Sequence, residues 1–143
     1  KTFIWTTILS LGLVITSCVV SNPKFFENTH QADDPSYGYE PENPITIKNA
    51  DLDNSINSSY YYLSRLKTEK GNKLQVVRRY SVGNPNFKEP ALQLNYESGR
   101  LMDCYILTPE NETDTIKLYI NPYLKGEVKV PVGLRFENEV GSN

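Results

Sequence analysis

Apolar and polar positions alternate along much of the second half of the chain, a pattern typical of strands with one buried face. The alternating stretches cover 74–82, about 100–108, 114–121 and 128–136, with polar turn residues between them. Two sets of residues are predicted to share one face each: Leu74, Val76, Arg78, Tyr80 and Val82 in the first stretch, and Val128, Val130, Val132, Leu134 and Phe136 in the last. Pro131 has no backbone donor, which places the last strand at a sheet edge or a bulge.

Before these strands, apolar residues recur at helical spacing. Ile56, Tyr60, Leu63 and Leu66 or Lys67 predict one amphipathic helix over 55–68. Gly71 follows a lysine-rich turn and suits a left-handed cap, and 45–48 reads as a short strand. The pattern therefore predicts an α+β fold, in which one amphipathic helix packs on a mainly antiparallel sheet of about five or six strands.

The N-terminal 17 residues are different, because they form an apolar stretch after a single Lys1. Phe3 to Val14 is shorter than the roughly 20 apolar residues that a membrane-spanning helix needs, and it has the length of a secretory signal. Ile15-Thr16-Ser17-Cys18 resembles a bacterial lipobox. That resemblance implies cleavage between Ser17 and Cys18, with diacylglycerol and then palmitate or a similar acyl chain on Cys18.

Alternatives to lipidation remain open at this stage. The leader could be an ordinary signal peptide or a buried apolar helix, with Cys18 incidental, or Cys18 could form a disulfide with Cys104, the only other cysteine. With lipidation, the chain divides into a signal peptide (1–17), a lipidated cysteine with a flexible tether (18–36), one α+β domain (37–138) and a tail (139–143).

Composition narrows the function classes. The formal net charge is −2 over 143 residues, which gives no electrostatic case for nucleic-acid binding, for which a basic patch is the first feature to look for. The only histidine, His30, lies in the predicted tether, and the chain has too few histidines and cysteines for an ordinary zinc site. No catalytic residue, metal site or cofactor is predicted, and we expect a protein that is not an enzyme.

The residues most suited to ligand contact are the run Tyr60, Tyr61 and Tyr62, together with Arg78. Tyrosine rings can stack on a sugar, and a guanidinium can hold an anion. The alternative is that the tyrosines pack in the core with their hydroxyls at its rim. Arg78 and Arg79 are neighbours in a predicted strand, so their side chains point to opposite faces and do not form one clamp.

Several short segments, in the same order over most of 37–136, resemble a family of small lipoproteins common in Bacteroidota. They are Tyr37-Gly38-Tyr39, Glu42-Asn43-Pro44-Ile45, Tyr62-Leu63 with Arg65-Leu66, Gly71-Asn72-Lys73, Gly99-Arg100-Leu101-Met102-Asp103, Leu118-Tyr119-Ile120-Asn121, Gly126-Glu127 and Pro131-Val132-Gly133-Leu134. Relatives often carry a Cys-Cys pair after the first long strand, whereas 81–87 holds none here. The resemblance implies no established activity.

Members of such families are sometimes labelled 2-dehydro-3-deoxyphosphooctonate aldolase, a (β/α)₈-barrel activity that needs about 250 residues. This chain has too few residues and too few helices for that fold. We therefore expect a lipid-anchored cell-envelope protein that binds a protein partner, with the outer membrane as its location because Val19, not aspartate, follows Cys18. A small-ligand or glycan-binding module is the alternative, and an envelope enzyme is a weaker one.

Overall fold

A computed structural model describes residues 29–47, 55–87 and 99–137. Their elements, in chain order, are β1 (His30–Gln31), β2 (Ile45–Thr46), α1 (Ser55–Arg65), β3 (Leu66–Thr68), β4 (Leu74–Gly83), β5 (Leu101–Pro109), β6 (Ile116–Asn121), β7 (Lys129–Val130) and β8 (Leu134–Phe136). The leader, Ser17, Cys18 and the tail 139–143 lie outside the described residues. Within them, no helix is both long and apolar enough to cross a membrane.

The described residues are mostly sheet with one helix, as an α+β fold requires. Four strands form a sheet in the order β2-β6-β5-β4, in which β2 runs parallel to β6 and the other pairs are antiparallel. β1 pairs with β7 in parallel, and β3 pairs with β8 antiparallel. The expectation of one mainly antiparallel sheet of five or six strands is therefore wrong in detail, because the short strands pair separately and two pairings are parallel.

The helix covers one face of the four-stranded sheet, which we call the inner face. The Tyr60 ring meets the Tyr105 ring edge-on, with centroids 5.8 Å apart, and Tyr62 packs against Phe136. Burial of apolar side chains between these layers is the main stabilising contribution. The buried core contains Ala32, Tyr37, Ile45, Ile47, Tyr62, Leu63, Leu66, Tyr105, Leu107, Leu118, Ile120, Val128, Val130 and Leu134.

The predicted helix ends earlier than expected, and its predicted cap lies in a different turn. The helix stops at Arg65, because Leu66–Thr68 leave it to pair with β8. Gly71 is left-handed, as predicted, with φ +90°, but it closes the turn after β3, where its amide donates to the Thr68 carbonyl, and does not cap the helix.

The last predicted strand is interrupted in its middle. Leu134 N–H donates to the carbonyl of Pro131, and Gly133 is left-handed with φ +84°, so a turn separates β7 from β8. Val132 lies in that turn and is 40% exposed. The prediction that Val132 shares one face with its apolar neighbours is wrong, because alternation does not continue through a turn.

A β-bulge divides β4. Val76 pairs with Leu107 and Arg78 pairs with Ile106, so Val77 is an extra residue with no partner on β5. A bulge changes which face the following residues occupy. Arg78, Tyr80 and Val82 therefore lie on the opposite face from Leu74 and Val76, and the prediction that these five share one face is wrong.

The fold begins before residue 37. His30 and Gln31 form β1, and Ala32 is buried and donates its amide hydrogen to the Val130 carbonyl at 2.8 Å. Residues 30–36, which the sequence pattern assigns to the tether, are thus part of the packed structure. At the other end of the fold, the Glu137 amide donates to the Arg65 carbonyl at 2.8 Å.

Candidate functional site

The face of the four-stranded sheet opposite the helix carries a set of side chains that we call the outer face. It is defined by Arg78 and Tyr80 on β4, Cys104 and Ile106 on β5, and Lys117 and Tyr119 on β6. Arg78, Tyr80 and Lys117 are exposed, Ile106 and Tyr119 are half-buried, and Cys104 is buried. The bulge at Val77 turns the two β4 side chains toward this face.

Strand register arranges the outer face in two rows. Tyr80, Cys104 and Tyr119 face one another across three strands, and Arg78, Ile106 and Lys117 form the neighbouring row. Adjacent strands are about 4.8 Å apart, so each row extends about 10 Å from its first strand to its third. Ile106, which is half-buried, therefore lies between the two cations of its own row and next to the row that holds the two tyrosines.

The buried thiol of Cys104 lies between the two tyrosines of its row. The pKa of Tyr80 is raised, first by its hydrogen bond with the Cys104 side chain and then by electrostatic interaction with it. The pKa of Tyr119 is raised, first by burial and then by electrostatic interaction with Cys104. Both tyrosines are therefore protonated at neutral pH and offer neutral hydroxyls. Cys104 forms no disulfide with the residues that the structure describes, and its side chain packs as a small apolar residue.

The Arg78 side chain contacts the ring of Tyr80 on the outer face. Its guanidinium carbon lies 5.5 Å from the centre of the Tyr80 ring, within the range of a cation–π contact. Such contact limits the conformations of a long side chain without neutralising its charge. The positive charge at the β4 end of the surface therefore lies beside the Tyr80 ring.

The inner face holds a polar cluster directly behind this surface. Arg79 Nη2 donates to Asp103 Oδ2 at 2.9 Å, and Ser81 Oγ donates to Asp103 Oδ1 at 3.2 Å. Burial acts to lower the pKa of Arg79, but the hydrogen bond and charge of Asp103 raise it overall. The ion pair keeps a buried carboxylate neutralised, so its role is to stabilise the packing of β4 on β5.

The four residues predicted for ligand contact do not meet in one place. Tyr62 is buried and donates its hydroxyl to the Lys129 carbonyl at 2.6 Å; burial raises its pKa well above the usual value. The Tyr60 ring packs edge-on against the Tyr105 ring. The Tyr61 ring is covered by Arg65, whose guanidinium carbon lies 5.2 Å from the centre of the Tyr61 ring. Arg78 lies on the outer face, across the sheet from all three.

Groups that could support metal or acid–base chemistry are dispersed. Across the described ranges, no three histidine, cysteine, aspartate or glutamate side chains gather as metal ligands. His30 Nε2 lies 3.6 Å from Glu127 Oε1, and both side chains are more than half exposed. In solvent such a pair contributes little.

The sequence pattern missed Tyr80, Ile106, Lys117 and Tyr119 as members of one surface. A signal for the bulge was present, since Val76 and Val77 are adjacent apolar residues that interrupt the alternation. The cross-strand register that joins the two rows depends on pairing between residues far apart in the chain, which no local pattern encodes.

Comparisons with protein-family models, with characterised protein sequences and with solved structures give no significant match. A functional proposal therefore depends on the residues of this chain alone. Among the described residues, the outer face combines one exposed and one half-buried tyrosine ring, two positive charges and the apolar Ile106.

Proposed function

We propose that the chain is a noncatalytic, lipid-anchored cell-envelope protein, located at the outer membrane, that binds a protein partner through the outer face of its sheet. The anchor part of the proposal derives from the lipobox-like residues ending at Cys18. The binding part derives from one structural observation: Tyr80 and Arg78 are exposed on a face of the sheet that also carries the apolar Ile106.

The composition of this surface is that of a protein-binding site. Tyrosine and arginine are enriched among the residues that dominate binding energy, especially where they surround an apolar centre. Tyr80 is 37% exposed and its ring is supported by Arg78. A ring that is partly fixed before binding loses less conformational entropy when the partner docks.

The face is a better binding surface than the free edge of β4. In the described residues β4 pairs on one side only, with β5. However, the bulge at Val77 and the adjacent arginines are features by which proteins prevent an edge strand from pairing with another chain. Binding through side chains of the outer face does not require a straight, unbulged edge.

Charge defines the partner's chemistry. Arg78 and Lys117 lie at the two ends of one row, and neither forms an ion pair with the described residues. A partner surface with a carboxylate opposite each end and an apolar group opposite Ile106 would match this row. We therefore propose an acidic protein surface as the partner.

The anchor is tested by metabolic labelling of the full chain in a bacterial host with labelled palmitate. We expect label on the wild-type protein, accumulation of uncleaved precursor with globomycin, and no label on Cys18→Ala. A wild-type chain without label, or with its leader retained, would exclude lipid anchoring.

The partner surface is tested by photo-crosslinking in cells. A photoreactive phenylalanine analogue replaces Tyr80 in the anchored protein, and the matched control carries it at Tyr60, which has a similar exposure of 43% but lies on the helix side. We expect a discrete crosslinked protein from position 80 and its loss when Arg78 and Lys117 become glutamate. Equal products from both positions, or none from position 80, would contradict the proposal.

A further inference from the structure

A turn that precedes β2 places two carboxylates beside the outer face. The Tyr119 amide donates to the Gly38 carbonyl at 2.8 Å, so the turn continues the row that holds the two tyrosines on the side of β6 away from β5. Glu40 and Glu42 follow in the turn and are exposed. The pKa of Tyr119 is raised first by burial, and the negative charges of Glu40 and Glu42 add to the rise, so both carboxylates lie near this outer-face tyrosine.

The two rows of the outer face therefore differ in charge. The row of Arg78, Ile106 and Lys117 carries two cations, whereas the row that holds the tyrosines ends at the two carboxylates. Neither Glu40 nor Glu42 forms an ion pair with another residue of the described ranges. A uniformly acidic partner would be attracted by the first row and repelled at the end of the second. The best complement is a surface with the same two rows in reversed order.

We propose that the partner of the outer face is a second copy of the chain, packed face to face with the first and related to it by a half-turn. The proposal rests on the proposed function, because it names the partner of the same surface. A twofold interface presents the same residues from both copies, and sheets that pack face to face keep their strands within about 30° of each other. A half-turn about an axis that lies between the rows and crosses the strands therefore places each row against the other row of the second copy.

The contacts created by this half-turn are complementary. Lys117 of each copy lies beside Glu40 and Glu42 of the other copy, which supply the acidic surface that its charge requires. Arg78 of each copy lies over the Tyr80 ring of the other, where a cation–π contact is favourable. A half-turn about an axis along β5 would instead place Arg78 against Lys117, and like charges at an interface repel.

The proposed lipid anchor makes a weak self-interaction sufficient. Exposed ion pairs contribute little in solution, so copies in dilute solution are expected to be monomeric. Anchors that hold the copies in one membrane raise their effective concentration without adding a contact. We therefore expect the pairing at the membrane, and we expect high salt to weaken it because the charges at its edge are exposed to solvent.

The test uses two copies of the anchored full chain that carry different tags and are expressed in one bacterial host. One copy has the photoreactive phenylalanine analogue in place of Tyr80. We expect a crosslink that joins the two tags and maps to β4 of the second copy, since position 80 faces Arg78 there. No product from position 80 would contradict both the pairing and the proposed function. A product with a different protein, and none between the tags, would overturn the pairing alone.

Charge exchange between the copies tests the half-turn itself. Lys117→Glu in both copies, or Glu40→Lys with Glu42→Lys in both copies, should each reduce the crosslink between the tags about tenfold or more, because like charges then meet at both ends of the interface. One copy of each variant should restore the crosslink, since every lysine then lies beside a glutamate again. Loss in each variant without restoration in the mixed pair would overturn the proposal.

The matched control is Lys70→Glu in both copies. It makes the same change of charge at an exposed lysine in the turn after β3, outside the outer face. The crosslink between the tags should keep its wild-type yield. A loss equal to that of Lys117→Glu would show that net charge, and not the arrangement of the two rows, controls the association, and would overturn the proposal.

Discussion

The adjacent strands β4 and β5 show how differently two neighbours in one sheet can be used. β5 lies between β4 and β6, and six of its nine residues are buried, including residues on both faces. β4 lies at the edge of the sheet, and none of its ten residues is buried. The two strands pair along almost their whole length, so the difference arises from position and not from local hydrogen bonding.

This difference suggests that β5 contributes mainly to stability and that the exposed residues of β4 contribute mainly to binding. Residues in a central strand contact neighbours on both faces, so a change there removes packing on several sides. Residues of an edge strand contact fewer neighbours and can carry exposed aromatic and charged groups at little cost in stability. We therefore expect substitutions in β5 to reduce the free energy of unfolding, and substitutions of the outer-face residues of β4 to reduce partner binding.

The largest effect is expected for Leu107→Ala in β5. Leu107 is fully buried and faces Val76, and removing its side chain leaves a cavity in the core. We expect a loss of about 3 kcal/mol in the free energy of unfolding, measured by urea denaturation. The control, Val77→Ala at the 65% exposed bulge, should change it by less than about 0.5 kcal/mol. Similar losses in both would contradict the contrast between the strands.

The second-largest loss of stability is expected when the ion pair between Arg79 on β4 and Asp103 on β5 is broken. Asp103→Asn leaves the partly buried Arg79 guanidinium without its counter-charge, and we expect a loss of about 2 kcal/mol. In the double variant with Arg79→Met, the loss should be smaller than the sum of the single losses, because the unpaired charge is also removed. Additive losses would show that the pair does not couple β4 to β5.

The alternating pattern predicts the extent of both strands, but the bulge at Val77 changes the faces of the β4 residues that follow it. In β5, Tyr105 and Leu107 are buried on the inner face, but Met102 and Cys104 are buried on the outer face, so burial does not alternate strictly. The four-stranded sheet is less predictable because its β2–β6 pair is parallel and joins residues about 75 positions apart. The helix is predicted from the same kind of burial pattern, but its end is set by the pairing of Leu66–Thr68 with β8.

The candidate site is less predictable still. Exposed residues are not constrained by packing, so nothing in the local pattern distinguishes Tyr80 and Tyr119 from tyrosines at the rim of the core. The prediction of Tyr60–Tyr62 and Arg78 as ligand contacts used residue type and, for the tyrosines, adjacency in sequence, whereas the outer face joins residues by register across strands. The bulge at Val77 decides which side of the sheet Arg78 occupies.

A smaller effect is expected from the ionisation of Tyr105. Burial raises its pKa to about 12, although the nearby Ser59 hydroxyl opposes the rise. Because the folded pKa lies above the unfolded value near 10, the protonated form favours folding. This contribution is complete below pH 10 and is lost as the pH rises toward 12. At pH 11 the loss should be about 1 kcal/mol.

The measurement compares urea denaturation at pH 8 and pH 11. Tyr105→Phe should lose about 1 kcal/mol less than the wild type between these pH values. At pH 8 the variant should be nearly as stable as the wild type, since the buried Tyr105 hydroxyl has no well-aligned hydrogen-bond partner among the described residues. An identical pH dependence in both proteins would show that Tyr105 does not contribute in this way.

The smallest effect on stability is expected from deletion of Val77, which tests whether the face or the edge of β4 binds the partner. When Val77 is deleted, Val76 is followed directly by Arg78, and these two residues still face Leu107 and Ile106. Every other side chain of β4 therefore keeps its face and its partner on β5. The free energy of unfolding should therefore change by less than about 1 kcal/mol. Binding through the outer face predicts that the crosslink from position 80 is retained.

The same deletion leaves a straight edge strand, which favours pairing between copies of the chain. We expect more self-association than in the wild type, measured by sedimentation velocity, while Val77→Ala keeps the bulge and stays as monomeric as the wild type. Loss of the crosslink in the stable deletion variant would show that the partner recognises the bulged edge itself. In that case the binding surface would move from the side chains of the outer face to the backbone of β4, although both lie on the same exposed strand.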